Sequence, residues 1–134
     1  MVIVCFSCKK KQKDEPAPAP TAPPVSQKTI KITYEISSSA VAFDSNAYNK
    51  LMFTGTEGSY LFETYSGSTW KKDVIIADNG TSSINLHVDL LLNGDKATAT
   101  GKIYINDELK ASANSTSPYY SNGRTQTLLD VKYR

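Results

Sequence analysis

Cysteine is confined to the first eight residues of this 134-residue chain, at Cys5 and Cys8, so no disulfide framework can hold the remainder together. A single histidine leaves little material for a zinc site or a nucleophile–base pair. No apolar run reaches the ~18 residues that a membrane-spanning helix needs. Beyond Pro24 the only proline is Pro118, and neither sign of charge dominates, the formal net charge being +2. Disulfide-stapled, collagen-like and helical membrane classes are thereby excluded. What remains is a chain 40% hydrophobic and 21% charged, long enough for one globular domain with its own core and too short for two.

The opening stretch Met1-Val-Ile-Val-Cys-Phe-Ser-Cys8 is apolar and is followed by Lys9-Lys10-Lys11, the pattern of a processed leader. It resembles the bacterial lipoprotein signal, in which a small residue precedes a cysteine that is acylated and becomes the mature N-terminus. That resemblance makes Ser7 the small residue and Cys8 the lipidation site, with residues 1–8 as the end of the signal. The apolar run is short and no basic residue precedes it, so the natural start is expected upstream of Met1. A redox or metal Cys-x-x-Cys is the rival reading of Cys5 to Cys8, but the lysines and prolines that follow provide no scaffold for one.

Residues 9–27 form a tether. Lys9 to Glu15 is charged, and five of the six prolines fall between Pro16 and Pro24. Proline fixes φ and lacks an N–H, so the segment favours extended polyproline II and cannot enter a sheet interior. At about 3.1 Å per residue it spans up to roughly 60 Å. Its lysines read either as contacts to an anionic bilayer, about 1 kcal/mol each, or as a solvated charge run. Acidic residues commonly follow the lipidated cysteine of surface-exported lipoproteins of Bacteroidota, and lysines stand here instead. An envelope location on the periplasmic side is therefore expected over surface display. From Lys28 to Arg134 the chain carries eleven basic and eleven acidic residues. That neutral balance offers no electrostatic footprint for nucleic acid.

Residues 28–134 alternate with period two and nowhere sustain helical spacing. Ile30, Ile32, Tyr34 and Ile36 predict a first half-buried strand, Leu51 and Phe53 a second, and Tyr60 and Phe62 a third. Trp70 to Ala77, Ile84 to Leu90, Ala99 to Ile105 and Leu109 to Asn114 follow, and Leu129, Val131 and Tyr133 mark the last. Asn79-Gly80, Asn93-Gly94, Asn106-Asp107 and Asn122-Gly123 are dipeptides that tolerate positive φ in tight hairpin turns. The expectation is an all-β, antiparallel β-sandwich of about seven to eight strands, with a small closed barrel as the alternative.

Ile32-Thr-Tyr-Glu-Ile36, the central Trp70 and Gly101-Lys-Ile-Tyr-Ile-Asn-Asp-Glu-Leu-Lys110 together resemble the MmpS-like domain. That domain occurs in small lipoproteins of Bacteroidota and in transport accessory proteins of mycobacteria. The resemblance covers most of residues 30–115 and implies an immunoglobulin-like sandwich without catalytic residues, in an accessory role.

Few residues are candidates for chemistry. His87 sits mid-strand opposite to the Leu86 and Val88 face, with Asn85 and Asp89 beside it, and reads as a solvent-facing strand histidine. There is no Gly-x-Ser-x-Gly elbow, no His-Glu-x-x-His and no phosphate-cradling glycine loop. Asp44-Ser-Asn46 and Asp78-Asn79 carry oxygen ligands suited to calcium, but Asx-turns explain both. No enzyme activity, cofactor or metal is expected. Trp70, next to Lys71-Lys72, reads as a core anchor. Pro118-Tyr119-Tyr120-Ser-Asn-Gly-Arg124 reads as a loop between the final strands, where stiff aromatic area and a guanidinium fork suit a contact surface. Tyr119, Tyr120 and Arg124 are thus the candidate contact residues. The functional expectation is a membrane-anchored, non-enzymatic accessory or protein-binding module with an envelope protein as partner. The alternative is capture of a glycan or peptide on the aromatic loop.

Overall fold

The computed structural model describes residues 23–24, 26–44, 48–80 and 83–134, and of residues 117–120 the backbone only. The signal end with Cys8 and nearly all of the tether lie outside the described residues, as does Asn46. The domain is all-β. Its nine strands are β1 (Thr29–Ser38), β2 (Lys50–Thr54), β3 (Tyr60–Thr64), β4 (Thr69–Ala77), β5 (Ile84–Asn93), β6 (Ala99–Ile105), β7 (Glu108–Asn114), β8 (Thr116–Ser121) and β9 (Arg124–Tyr133). Among the described residues the one other regular element is a 3₁₀ turn at Thr56–Gly58.

The strands form two antiparallel sheets, a four-stranded one in the order β4-β1-β6-β7 and a five-stranded one in the order β3-β2-β5-β9-β8. They face each other as a sandwich and do not close into a barrel. β1 and β4 are neighbours in one sheet while β2 and β5 are neighbours in the other. This Greek-key interlock is shared with immunoglobulin-like sandwiches. β6 and β7 extend the first sheet on the far side of β1.

Period-two patterning accounts for the core. β5 reads buried and half-buried in strict alternation from Ile84 to Leu92, and β1 buries Ile32, Tyr34 and Ile36. These meet Leu51 and Phe53 of β2, Val74 and Ile76 of β4, Ile103 of β6 and Leu129 and Val131 of β9 in one apolar layer. Most polar groups beside it are partnered, the buried Thr127 hydroxyl being an exception. The Tyr34 hydroxyl donates to the Thr54 carbonyl at 2.7 Å, and burial pushes this phenol well above its ordinary value against the opposing pull of that bond. Thr125 donates to the Gly94 carbonyl at 2.7 Å and accepts from the Ala97 amide at 3.1 Å.

Two of the four expected hairpin dipeptides make hairpins. Asn106 and Asp107 (φ 49° and 68°) join β6 to β7, and Asn122 and Gly123 (φ 52° and 70°) join β8 to β9, both two-residue reversals with paired flanks. Asn79-Gly80 and Asn93-Gly94 instead lie where the chain crosses between sheets, from β4 to β5 and from β5 to β6. Positive φ permits the reversal, but long-range packing selects the sheet that the next strand joins.

The ends of the sandwich are distinct. Lys28 and the start of β1 lie beside Ala77, Asp78 and the end of β4, at the end that also carries Ile105 and Tyr133. The Asn122-Gly123 turn lies at the opposite end, where the Gly94 amide donates to the Gly123 carbonyl at 2.6 Å. The chain therefore enters at one end and presents the β8–β9 hairpin at the other.

Candidate functional site

The segment expected as an aromatic loop is not a loop. Thr116–Ser121 is strand β8, with Tyr119 opposite Gln126 and Tyr120 opposite Thr125 in the ladder with β9. The two-residue Asn122-Gly123 turn brings Ser121 against Arg124 and so propagates pairing back through the tyrosines. Pro118 is tolerated because β8 is an edge strand, and the register shifts between Thr116 and Tyr119. The side chains of Tyr119 and Tyr120 lie outside the described residues. Arg124 is placed: its guanidinium carbon stands 3.6 Å above the centroid of Phe43, a cation–π contact. That contact holds residues 42–43 against the sheet, where Ala42 bridges Leu92 and the Phe43 amide donates to the Leu91 carbonyl. Arg124 thus has a structural partner within the chain.

A different surface emerges on the other side of the same sheet. β3 is the edge strand next to β2, and it exposes Tyr60 (50%), Leu61 (38%) and Phe62 (71%) in succession. Glu63 follows and turns toward β4. It accepts from the Trp70 indole N–H at 3.0 Å through Oε2 and from the Lys72 ammonium through Oε1. The Lys72 bond, aided by Trp70 and opposed by partial burial, holds this carboxyl below the usual glutamate range. Trp70 itself packs against the core as expected, its ring 5.2 Å from Phe53, which in turn lies 5.2 Å from Tyr34. Glu63 therefore ties the edges of the two sheets together, and fixes β3 so that Phe62 points to the opposite, outer face.

On that outer face the ladder sets Phe62 opposite Met52, Met52 opposite His87, and His87 opposite Asp130. The His87 ring nitrogen Nδ1 lies 2.6 Å from Asp130 Oδ1, so its partner comes from β9 and not from Asn85 or Asp89. The outer face of the four-stranded sheet carries a shallow groove of about 380 Å³ in which Glu35, bonded to Lys71 at 2.9 Å, is lined up with Ser37, Thr69, Thr100 and Lys102. Among the described residues no three His, Cys, Asp or Glu side chains are gathered as metal ligands. Asp78, whose stretch carries oxygen ligands but reads from the sequence as an Asx-turn, pairs with Lys28 at 3.3 Å, and Asn79 accepts from Gln27 at 3.4 Å.

Sequence reasoning found β3 as a strand but missed it as a surface. The signal is present: Tyr60-Leu61-Phe62 breaks period two with three large apolar residues in a row, so one face of apolar side chains must remain uncovered if the strand lies at an edge. No family model matches the chain, and no curated protein matches it.

Proposed function

We propose that this chain is a non-enzymatic protein-binding module of the bacterial cell envelope, anchored through an acyl group on Cys8 and acting on the periplasmic side. The observation that carries the reading is the exposed β3 edge. A terminal strand presents unpaired backbone donors and acceptors, and large apolar side chains beside them favour addition of another strand. The accessory role implied by the MmpS-like resemblance is compatible with this, since an accessory subunit needs an interface and no reacting groups. Tethering confines the domain near other envelope proteins and raises their effective concentration, so a modest interface suffices.

Fractionation tests the anchor. Wild-type protein, expressed in a bacterial host with whatever sequence precedes Met1, is expected in the membrane, and Cys8→Ala in the soluble fraction. Crosslinked wild type is expected to retain a protein partner that Cys8→Ala loses. Identical fractionation of the two proteins would overturn the anchored reading. Saturable binding of a glycan or peptide in place of any protein would favour ligand capture.

A further inference from the structure

We infer that the strand added to β3 is β3 of a second copy, giving a two-fold dimer in which the five-stranded sheets run on into each other. This rests on the reading of β3 as a pairing edge.

The four sheet edges differ in how they are guarded. β4 carries Lys71, Lys72 and Asp73, β7 carries Glu108 and Lys110 and a register shift in its pairing, and β8 carries Pro118 and a register shift. Charge, proline and irregular pairing are the devices by which proteins keep edges from pairing. β3 has neither proline nor a register shift. Its single charge, Glu63, is already engaged by Trp70 and Lys72 on the inner side.

β3 is also complementary to itself. Antiparallel pairing about a two-fold axis at Phe62 sets Phe62 opposite Phe62 of the second copy, Tyr60 opposite Thr64, and Leu61 opposite Glu63. No like charges meet, because the one carboxylate falls across from leucine. On the outer face Phe62 and Tyr60 of both copies are directly or diagonally adjacent, within the ~7–8 Å reach of aromatic side chains. The contact is isologous, so each copy uses its one free β3 edge and the assembly closes at two. Antiparallel pairing points the chain-entry ends of the two copies in opposite directions. A ten-residue strand such as β1 is about 34 Å long, and a tether of up to roughly 60 Å lets both copies stay anchored.

Register-specific disulfide trapping tests this in the full chain with Cys5→Ser and Cys8→Ser, so that only introduced thiols react. Residues directly opposite in an antiparallel pair have Cα atoms about 4.5–5.5 Å apart, within disulfide range, whereas diagonal partners lie beyond it. Under mild oxidation Phe62→Cys is expected to form dimer at least about tenfold faster than Leu61→Cys or than Ile75→Cys, an exposed position on β4 that reports random collision. Tyr60→Cys mixed with Thr64→Cys is expected to form the mixed dimer. In sedimentation, Phe62→Lys and Phe62→Glu should each be monomeric alone and associate when mixed. Equal rates at positions 61, 62 and 75, with no association of the charged variants on mixing, would overturn self-pairing. If the anchored protein then still loses a different envelope protein on Phe62→Lys, the edge-binding reading survives; if it loses nothing, both fall.

Discussion

Glu63 is the residue on which the free edge depends. Its two oxygens are divided between the Trp70 indole and the Lys72 ammonium, so one side chain fixes the orientation of β3 and closes the mouth between the sheets. Its folded-state pKa lies below the unfolded value, so the folded state binds fewer protons and the stabilisation is present above the ordinary glutamate value. It is lost as pH falls from about 4.3 through the lowered folded value. Glu35, lowered chiefly by its bond to Lys71, acts in the same direction on the other sheet. Glu63→Gln keeps an acceptor for Trp70 and removes the charge; both Glu63 and Lys72 are partly exposed, so the cost at neutral pH is expected to be only about 0.5–1 kcal/mol. Denaturant titrations should show a shallower loss of stability for the variant between pH 5 and 3. Superimposable acid profiles would mean that Glu63 contributes nothing through its charge.

Among the elements, β6 and β9 pack closely across the two sheets. A Cβ built on Gly101 would stand 2.7 Å from Leu129 Cδ2 and 2.8 Å from Val131 Cγ2, so the glycine is there for packing and not for its φ. Gly101→Ala is expected to destabilise by about 1–3 kcal/mol through overpacking, read as a lower denaturant midpoint at unchanged slope. A midpoint equal to wild type would show that β9 can yield. The same two strands show what was legible beforehand. Ala99, Gly101, Ile103 and Ile105 marked β6 to its boundaries because its inward positions are all small or apolar. β9 was visible only from Leu129, because Thr125 and Thr127 occupy its buried face and interrupt the apolar alternation. β8 was hidden by Pro118, which argues against a strand unless the strand lies at an edge. The Asp130 partner of His87 lay 43 residues away in the chain, and no pattern within one strand reveals a neighbour across the sheet. Tyr119, Tyr120 and Arg124 drew notice by composition, whereas Tyr60, Leu61 and Phe62 become a surface only because topology puts β3 at an edge.

At the scale of the whole molecule, a neutral sandwich and an apolar edge belong together. With eleven charges of each sign from Lys28 onward, association cannot rely on long-range attraction, and short-range burial of apolar surface must supply it. The proposed anchor on Cys8 would raise the frequency of such encounters. Phe62 is 71% exposed, so Phe62→Lys should leave folding stability within about 0.5 kcal/mol while placing a charge on the bare edge. The most direct measurement is crosslinking and co-purification of anchored wild type beside anchored Phe62→Lys. Both proteins are expected in the membrane, with the bound protein, a second copy or another envelope component, lost from the variant alone. Retention of every bound protein by a folded, membrane-located Phe62→Lys would contradict the assignment of β3 as the binding edge.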